Sequence, residues 1–571
     1  MSTQTAKANA RVVEPQPAAP TVPEERPAAM PTQSLAPIRP GDVWRLFVPF
    51  ADRKGEWTGK AAVLRQLGTL AVVLSVAFGL DSVAAALRPD GFDWTEWVLI
   101  GTYGILMAWL TANFWLAAVG AGNRLWRWLS GGRTAPARSA ATPASGRTAV
   151  LMPLYNEDAD DAFARVAAMH RSIAEAGGGD GFDIFVLSDS TDPDCQKKER
   201  RAWMETRARL AGGESIHYRR RADNAGRKAG NIEEFCRRWA GHYEYLLMLD
   251  ADSLMAGSTV VELARRMQAD PTLGLIQTWP RPIGGRTLFA RAQQFAAALT
   301  GPLVVEGLSV VAGRCGGYWG HNAIVRSRAF TESCGLPQLP GRPPLGGDIM
   351  SHDFVEAALL VRHGWGIRID TDLGESYEQG PPNLIESLRR DRRWCQGNLQ
   401  HVRLLLANGL HPVSRLNFVI GLMSFLSAPV WLLFVLASVH EAVQSGFAEQ
   451  LVELTRTMPA GFGALGSEQL TRLIGDHSLL RLLGLTGVLL FGPKLLGLAA
   501  TLMDGPRRRQ LGGGLRTVAS CLLETLLSAL QAPVIMLAHT RFIAQILMGR
   551  SVDWTTQQRD AERVSWGEAA Q

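Results

Sequence analysis

Cysteine is scarce in this sequence. There are six cysteines among 571 residues, and none of them forms a CxxC pair. Disulfide scaffolds use many closely spaced cysteines, and zinc sites and redox motifs use CxxC spacings. The sequence therefore argues against a disulfide framework and against a zinc site, and it favours a reducing compartment.

A strong excess of one charge is also missing, since the formal net charge is only +6. The arginine clusters stand beside apolar runs, and no aromatic residues interleave with them as in nucleic-acid-binding surfaces. We therefore interpret these arginines as membrane-flanking residues. No nucleic-acid partner is expected.

The N-terminal stretch lacks large apolar residues. Residues 1–40 are rich in Pro, Ala, Thr and Gln, a composition that cannot bury enough apolar surface to fold. The stretch also has no apolar core of a secretory signal, so the N-terminus should stay in the cytoplasm. We predict a disordered tail with a basic pre-membrane segment over residues 1–60.

Long apolar runs are present on both sides of the chain's central part. Leu64–Leu87 and Trp97–Ala121 are each long enough to cross roughly 30 Å of hydrocarbon, and they predict two transmembrane helices within residues 61–123. Runs at about 416–439, 479–503 and 517–548 predict a C-terminal bundle over residues 411–549.

The number of crossings depends on the last run. It is either one long helix or a hairpin broken near Gln531-Ala532-Pro533, which gives the bundle three or four helices and the chain about six crossings. Residues 287–312 are also apolar but contain charged and amide side chains. We expect amphipathic helices there, lying on the inner membrane face.

Loop charges set the expected orientation. Five arginines and no acid lie between residues 124 and 147, whereas residues 441–477 carry five acids and two arginines. Cytoplasmic loops are rich in Lys and Arg. We therefore predict a cytoplasmic domain over residues 124–410 and, if the last run is a hairpin, a cytoplasmic tail over residues 550–571.

Short apolar strands alternate with helical patterns between about 146 and 410. This alternation predicts an α/β domain with a parallel sheet, whose ligands bind beyond the carboxyl ends of the strands. Three predicted strands end in polar clusters that would meet at this edge: Tyr155-Asn156-Glu157, Ser188-Asp189-Ser190 and Asp250-Ala251-Asp252.

The Asp-x-Asp cluster is the most informative of the three. Asp250 and Asp252 directly follow the buried strand YEYLLML, so both carboxylates can face one divalent cation. Carboxylate oxygens suit Mg²⁺ or Mn²⁺. Such a cation can bridge the two phosphates of a nucleotide diphosphate and neutralise a leaving group.

Several stretches together resemble the processive, membrane-integrated glycosyltransferases of family 2. The stretches PLYNED, LSDSTD, RKAGN, LDADS, SHDFVEA and RRDRRWCQGN occur here in the order typical of that family, which includes cellulose, chitin and hyaluronan synthases. The stretches GYWGHNAIVR and YEQGPPNLIESLRRDRRWCQGN are most similar to bacterial members that build the glucose backbone of osmoregulated periplasmic glucans. The resemblance implies a cytoplasmic GT-A type α/β glycosyltransferase domain embedded between transmembrane helices of the bacterial inner membrane.

The resemblance also implies roles for individual residues. Tyr155 and Glu157 would contact uracil and ribose, Asp189 would accept hydrogen bonds from the base or ribose, and Lys228 would approach the nucleotide. Asp250 and Asp252 would hold the diphosphate through Mg²⁺ or Mn²⁺.

A second group of residues would serve the acceptor and the leaving group. Asp353 would be the general base of an inverting transfer, although His352 stands where cellulose synthases have an acid. Arg390 and Arg393 would clamp the diphosphate, and Trp394 would carry a terminal sugar. His321 and Asn322 would line the acceptor side, and Trp554–Arg559 resembles a mobile gating loop.

The resemblance thus implies a UDP-glucose-dependent β-glucosyltransferase that elongates a glucan and exports it. A cellulose synthase or other β-polysaccharide synthase is an alternative, and a non-catalytic nucleotide-sugar sensor is another. Expected partners are UDP-glucose, the growing glucan acceptor and the lipid bilayer. An acyl carrier protein and a periplasmic glucan-processing protein are further family expectations.

Overall fold

The computed structural model describes residues 23–46, 60–87, 93–130, 146–444 and 477–550. Its helices are α1 Lys60–Leu87, α2 Trp94–Leu129, α3 Ala159–Glu175, α4 Pro193–Arg209, α5 Arg227–Trp239, α6 Gly257–Ala269, α7 Leu288–Ala312, α8 Ser327–Ser333, α9 His352–Arg362, α10 Leu384–Gln400, α11 Pro412–Gln444, α12 His477–Met503, α13 Gly505–Gln510 and α14 Gly514–Leu547. Its strands are β1 Thr148–Leu154, β2 Phe182–Ser188, β3 Ile216–Arg220, β4 Tyr245–Met248, β5 Leu254–Met255, β6 Leu273–Gln277, β7 Arg281–Ile283, β8 Ala323–Arg326, β9 Gly366–Ile369 and β10 Ser376–Gln379. The predicted gating loop Trp554–Arg559 lies outside the described residues.

A seven-stranded sheet forms the centre of the α/β domain, in the order β3-β2-β1-β4-β8-β6-β9. The strands β3, β2, β1 and β4 run parallel, as the alternation of strands and helices predicts. Alternate residues of β1 pack on opposite sides: Val150 lies in a core with α3 and α6, and Leu151 lies in a core with α5 and α8. Because both faces are covered, the strands are continuous apolar runs.

Strand β8 departs from the predicted parallel sheet and lies antiparallel between β4 and β6. Its first residue, Ala323, pairs with Met248, the last residue of β4. The chain before β8 stays at the carboxyl edge, where Ser309 Oγ donates to the carbonyl of Ile369 at the end of β9 (2.7 Å). The loop that precedes β8 therefore lies at the same edge as the Asp-x-Asp cluster.

A second, three-stranded sheet lies beside the Asp-x-Asp cluster. Its central strand β10 pairs antiparallel with β5 and parallel with β7. Because β5 begins at Leu254, two residues after Asp252, this pairing fixes β10 next to the Asp-x-Asp turn.

The protein is a multi-pass membrane protein. Six helices of the described residues are long and apolar enough to cross a membrane, namely Ala61–Ala85, Trp94–Leu129, Leu288–Ala312, Pro412–Gln444, Leu480–Met503 and Gly514–Leu547. Large apolar side chains such as Leu70 and Leu74 are more than half exposed on them, as expected of surfaces that face lipid tails.

Both ends of α7 contact the α/β domain. The Thr287 hydroxyl, which caps the helix, donates to the carbonyl of Pro382, and Ser309 near the other end donates to the carbonyl of Ile369. These two ends are about 33 Å apart along the helix. The prediction of an interfacial helix over 287–312 stays a prediction, and these contacts are the ones that such a helix would make.

Glycines allow α7 to cross α2 at very short range. A Cβ atom on Gly120 would lie 1.9 Å from the carbonyl oxygen of Leu303, and one on Gly307 would lie 1.9 Å from that of Leu116. Small residues of this kind let helix backbones approach closely in membranes. Next to the crossing, Glu306 pairs with Arg127 at 2.8 Å.

Helix α14 is continuous from Gly514 to Leu547 and contains Pro533. The structure therefore has the single long helix and not the hairpin alternative. Proline has no N–H and so removes one backbone hydrogen bond from the helix. The other backbone groups stay bonded within the helix, because a membrane offers no water to replace those bonds.

Residues 23–46 pack against the α/β domain, in contrast to the predicted disordered tail. The carbonyl of Pro23 accepts from the indole of Trp239 at 3.0 Å, and Met30 is buried in the core beside α5. The amide of Ile38 donates to the turn that precedes α11 (2.7 Å). Composition could not reveal this segment because its partners lie elsewhere in the chain.

Candidate active site

A cavity of about 700 Å³ lies at the carboxyl edge of the large sheet, below α10. Its volume is typical of ligand pockets. Eleven candidate residues from the sequence line the cavity: Tyr155, Glu157, Asp189, Lys228, Asp250, Asp252, His321, Asp353, Arg390, Arg393 and Trp394. The antiparallel entrance into β8 adds His321 to the residues that follow the parallel strands.

The Asp-x-Asp turn presents its two carboxylates to the cavity. Ala251 is only 6% exposed and packs in the core, so Asp250 and Asp252 are the turn's polar wall. Arg165 donates to the carbonyl of Ala251 at 3.2 Å, and the backbone N–H of Gln379 donates to Asp252 Oδ2 at 3.2 Å. These contacts hold the turn in place.

The donor set of this turn fits a hard divalent cation, because Asp250 and Asp252 offer only oxygen ligands. Among the described residues, no group of three or more His, Cys, Asp and Glu could hold a metal ion by itself. A cation bound here would therefore take its remaining ligands from water or from a bound anion.

Lys228 connects the Asp-x-Asp turn to the other side of the cavity. Its ammonium pairs with Asp250 and donates to the carbonyl of Gly320 at 2.8 Å. A Cβ atom on Gly320 would lie 3.6 Å from Asp353 Oδ2. Gly320 therefore adjoins both Lys228 and Asp353, so Asp250 and Asp353 face the same space.

Asp189 is held by an arginine that the sequence does not single out. Arg221 donates from Nε and Nη2 to the two carboxylate oxygens of Asp189, each at 2.7 Å, and both side chains are nearly fully buried. The same guanidinium donates to the carbonyls of Ala225 and Arg227. Asp189 therefore also fixes the segment that carries Lys228, and its predicted contact with a base or ribose stays a prediction.

Asp353 occupies the first turn of α9. The Ser351 hydroxyl donates to Asp353 Oδ1 at 3.2 Å. The N-terminus of α9 packs closely against α10, because a Cβ atom on Gly397 would be 2.9 Å from Ser351 Cβ. Only glycine allows this approach.

His352 is buried and pairs with a carboxylate one helical turn later. Its Nδ1 lies 3.1 Å from Glu356 Oε2, and both side chains are largely buried. Burial alone would lower the pKa of His352, but the carboxylates of Glu356 and Asp353 raise it above its usual value despite the nearby Lys228.

Helix α10 forms the side of the cavity that faces the apolar helices. The Arg390 guanidinium lies 4.3 Å from the centre of the Trp394 ring, and Trp394 is 50% exposed. Beyond Trp394, the cavity continues to Gly421 and Phe425 on α11. The arginines, the tryptophan and the start of an apolar helix therefore share one wall.

The cavity also contains residues that the sequence analysis does not single out, among them Glu378, Trp279 and Trp319. Glu378 on β10 pairs with His321, with 3.3 Å between Oε2 and Nε2, and burial raises its pKa. Trp279 and Trp319 also line the cavity. Glu378 and Trp319 stand within the stretches that carry the family resemblance, but nothing local distinguishes these side chains from core residues.

Asn322 does not line the acceptor side as predicted. It is fully buried, and its amide donates to Ser376 Oγ at 2.8 Å and to the carbonyl of Tyr377 at 3.1 Å. The antiparallel start of β8 turns this side chain toward β10 instead of the cavity.

Two family models match the chain. Glycosyl transferase family group 2 matches residues 245–448, and glycosyl transferase family 2 matches residues 149–333. Together they cover the whole α/β domain and the helix α11 that follows it.

Curated relatives extend the similarity over nearly the whole chain. A Shewanella sp. (strain ANA-3) protein named glucans biosynthesis glucosyltransferase H is 40% identical over 549 residues, which are 95% of this chain and 72% of the relative. Proteins of the same name from Shewanella oneidensis and Vibrio cholerae are each 41% identical over 95% and 94% of this chain, and over 72% of their own length.

A likeness to solved structures is much weaker. A mannosyltransferase from Pyrobaculum calidifontis in complex with GDP-Man and Mn²⁺ is 16% identical, with a TM-score of 0.37 over 74% of this chain and 99% of that chain. A TM-score this low carries no conclusion about ligands.

Proposed function

The chain belongs to the glucans biosynthesis glucosyltransferase H family, and from this premise we propose that it transfers glucosyl units from UDP-glucose to a growing β-glucan and exports the product. The observation that carries the proposal is the cavity in which Asp250, Asp252, Asp353 and Trp394 face one another. A donor diphosphate, a general base and a sugar platform are the three parts that such a transfer needs.

The nucleotide binds at the ends of β1 and β2. Tyr155 and Glu157 contact the uracil and ribose, and Asp189 lies on the same side. Asp250 and Asp252 would hold Mg²⁺ or Mn²⁺, and the bound cation would neutralise charge on the diphosphate. The two carboxylates support this assignment because they are the oxygen donors that these cations prefer.

Asp353 takes the proton from the acceptor hydroxyl. The acceptor oxygen then forms a bond to the anomeric carbon on the face opposite the diphosphate, and the bond from that carbon to the phosphate oxygen breaks. UDP leaves with the electron pair, and an α-linked donor gives a β-linked product. The position of Asp353 across Gly320 from the Lys228–Asp250 pair supports this geometry.

Negative charge grows on the diphosphate as it leaves. Arg390 and Arg393 can meet it with planar, bidentate donors, and Lys228 adds a point charge beside Asp250. Trp394 carries the terminal sugar of the acceptor. Its position next to Gly421 and Phe425 supports a product path that begins among the apolar helices.

We further propose that α1, α2, α11 and α12 cross the bacterial inner membrane, with the α/β domain in the cytoplasm. Helices α7 and α14 then lie along the inner face, which leaves four crossings instead of about six. For α14, the contact that supports this is His539–Asp391, which joins its C-terminal half to α10.

The test is product formation by the purified full-length protein. We expect UDP-glucose and Mg²⁺ to give UDP and a β-linked glucan in linkage analysis, and we expect EDTA to stop the reaction. A product from UDP-N-acetylglucosamine and none from UDP-glucose would overturn the donor assignment. Binding of UDP-glucose without release of UDP would favour the sensor alternative.

A further inference from the structure

Glu378 faces the cavity from the strand that is paired to the Asp-x-Asp segment. Residues of β10 hydrogen-bond with β5, which begins two residues after Asp252. The backbone N–H of Gln379 also donates to Asp252 Oδ2 at 3.2 Å. The backbone therefore holds Glu378 one residue from a contact with the diphosphate side of the site.

Its partner His321 lies on the loop before β8. The two side chains pair with 3.3 Å between Glu378 Oε2 and His321 Nε2, and they are 31% and 14% exposed. Both line the cavity. A carboxylate that remains partly open can accept hydrogen bonds from hydroxyl groups, and a neutral or protonated imidazole can add a donor.

The segments that carry this pair are fastened to each other. Gln277 donates from its side chain to the carbonyl of His321 at 2.9 Å. Asn322 donates to Ser376 Oγ and to the carbonyl of Tyr377, and its backbone adopts a positive φ of 50°. The pair is thus fixed before any ligand arrives, which limits the ordering cost of binding.

The pair lies where the transferred sugar must lie. The sugar has to reach from the diphosphate near Asp252 to an acceptor hydroxyl near Asp353. Glu378 precedes Gln379, which contacts Asp252, and His321 follows Gly320, which adjoins Asp353. Their contact therefore spans the interval between the leaving group and the general base.

We propose that Glu378 and His321 bind hydroxyl groups of the transferred sugar and so determine which hexose the enzyme accepts. The inference rests on the proposed function of the same site. A site built to hydrogen-bond a hydroxyl discriminates against a substrate that lacks the hydroxyl at that position, because the site's own polar group then loses that partner. An epimer or an N-acetylated sugar would leave Glu378 in that state.

A purely structural role predicts something different. If the pair only fastened the loop before β8 to β10, its loss would disturb the whole site. UDP affinity and thermal stability would then fall together, and the ratio between sugars would stay the same.

The experiment compares sugar discrimination with nucleotide affinity in the full-length protein in lipid nanodiscs. UDP release is measured for wild type, Glu378→Gln and His321→Gln with UDP-glucose, UDP-galactose and UDP-N-acetylglucosamine, and UDP binding is measured separately. We expect Glu378→Gln to lower kcat/KM for UDP-glucose about 10- to 100-fold and to reduce the preference for glucose over galactose at least about tenfold. We expect the Kd for UDP to change by less than about twofold.

Glu375→Gln is the matched control, because Glu375 is an exposed carboxylate just before β10 that contacts Ser258 outside the cavity. It should behave as wild type. Unchanged kcat/KM and unchanged discrimination in Glu378→Gln would overturn the proposal, and so would a joint loss of UDP affinity and stability with discrimination intact. If the wild type releases no UDP from UDP-glucose, the proposed donor is wrong, and the same comparison with the sugar nucleotide that it does accept still tests the pair.

Discussion

Asp353 is held in one orientation at the start of α9. It occupies the first turn of the helix and accepts a hydrogen bond from the Ser351 hydroxyl. The site thus supplies a carboxylate at a fixed position, and the acceptor must bring its hydroxyl to that position. This arrangement makes the residue testable separately from nucleotide binding.

Asp353→Asn should abolish transfer and leave UDP binding nearly unchanged. The amide keeps the shape but cannot take the proton, so we expect kcat to fall about 10²- to 10⁴-fold. UDP release and UDP affinity are the two measurements. Asp348→Asn, an exposed carboxylate nearby that contacts Gln338, should retain wild-type turnover. Retained turnover in Asp353→Asn would assign the base to another residue.

His352 should make stability depend on pH. Its pKa is raised in the folded protein by Glu356 and Asp353, so the folded state holds the proton more tightly than the unfolded state. The stabilisation is complete below the usual pKa of 6.5 and is lost as the pH rises through the folded pKa. The unfolding temperature of the wild type should therefore fall as the pH rises above 6.5 and through the folded pKa of His352.

The variant His352→Gln should show a smaller shift over the same pH range. The control is His363→Gln, an exposed histidine at the end of the same helix, which should keep the wild-type dependence. Equal slopes for His352→Gln and the wild type would mean that the pair with Glu356 does not bind its proton more tightly on folding.

Sequence alone could find some site residues and not others, and the difference is one of distance along the chain. Asp250 and Asp252 follow a buried strand directly, so their exposure at a sheet edge is a local consequence. Arg221 and Glu378 act through partners on other strands: Arg221 meets Asp189, and Glu378 meets His321. Only the tertiary pairing makes such contacts visible.

At the scale of elements, the crossing of α2 and α7 joins the membrane helices to the α/β domain. Gly120→Ala should separate the two helices, because the new Cβ would lie 1.9 Å from the Leu303 carbonyl. We expect the free energy of unfolding to fall by about 1–3 kcal/mol. We also expect reduced turnover, because Val305 on the same stretch of α7 lines the cavity. Thermal unfolding and UDP release measure the two effects.

Gly122→Ala is a close control for that substitution. Gly122 is two residues further along α2, and a Cβ atom there would have no neighbour within 4 Å. This variant should unfold like the wild type or at a slightly higher temperature, because alanine favours the helix. Equal behaviour of the two variants would mean that the close crossing does not stabilise the protein.

Which elements could be predicted follows from the same physics. The strands β1, β2 and β4 are local hydrophobic patterns, and each ends at or next to the polar cluster that the sequence predicts for it. The direction of β8 depends on where the chain re-enters the sheet, and the continuity of α14 through Pro533 depends on its neighbours. Neither is encoded in a short window of sequence.

For the whole molecule, the proposed topology places the end of α14 on the side of the α/β domain. Five of the six native cysteines are buried and Cys195 is partly exposed, so the test starts from a Cys195→Ser variant. Trp94→Cys, Glu205→Cys or Arg550→Cys is introduced into it one at a time, and bacterial spheroplasts are treated with a membrane-impermeant maleimide. We expect labelling at position 94 in intact spheroplasts, and labelling at positions 205 and 550 only after permeabilisation. Labelling at position 550 in intact spheroplasts would make α14 a crossing.

The path of residues 23–46 has a practical consequence for watching the enzyme at work. Helix α5 starts beside the cavity at Arg227 and ends at Trp239, where Pro23 is held. Position 23 therefore lies at the end of α5 that is farther from the cavity, one helix length away from the substrates. A fluorophore coupled there would be shielded from direct quenching by the nucleotide, so changes in its brightness would report movement of the domain and not occupancy of the site.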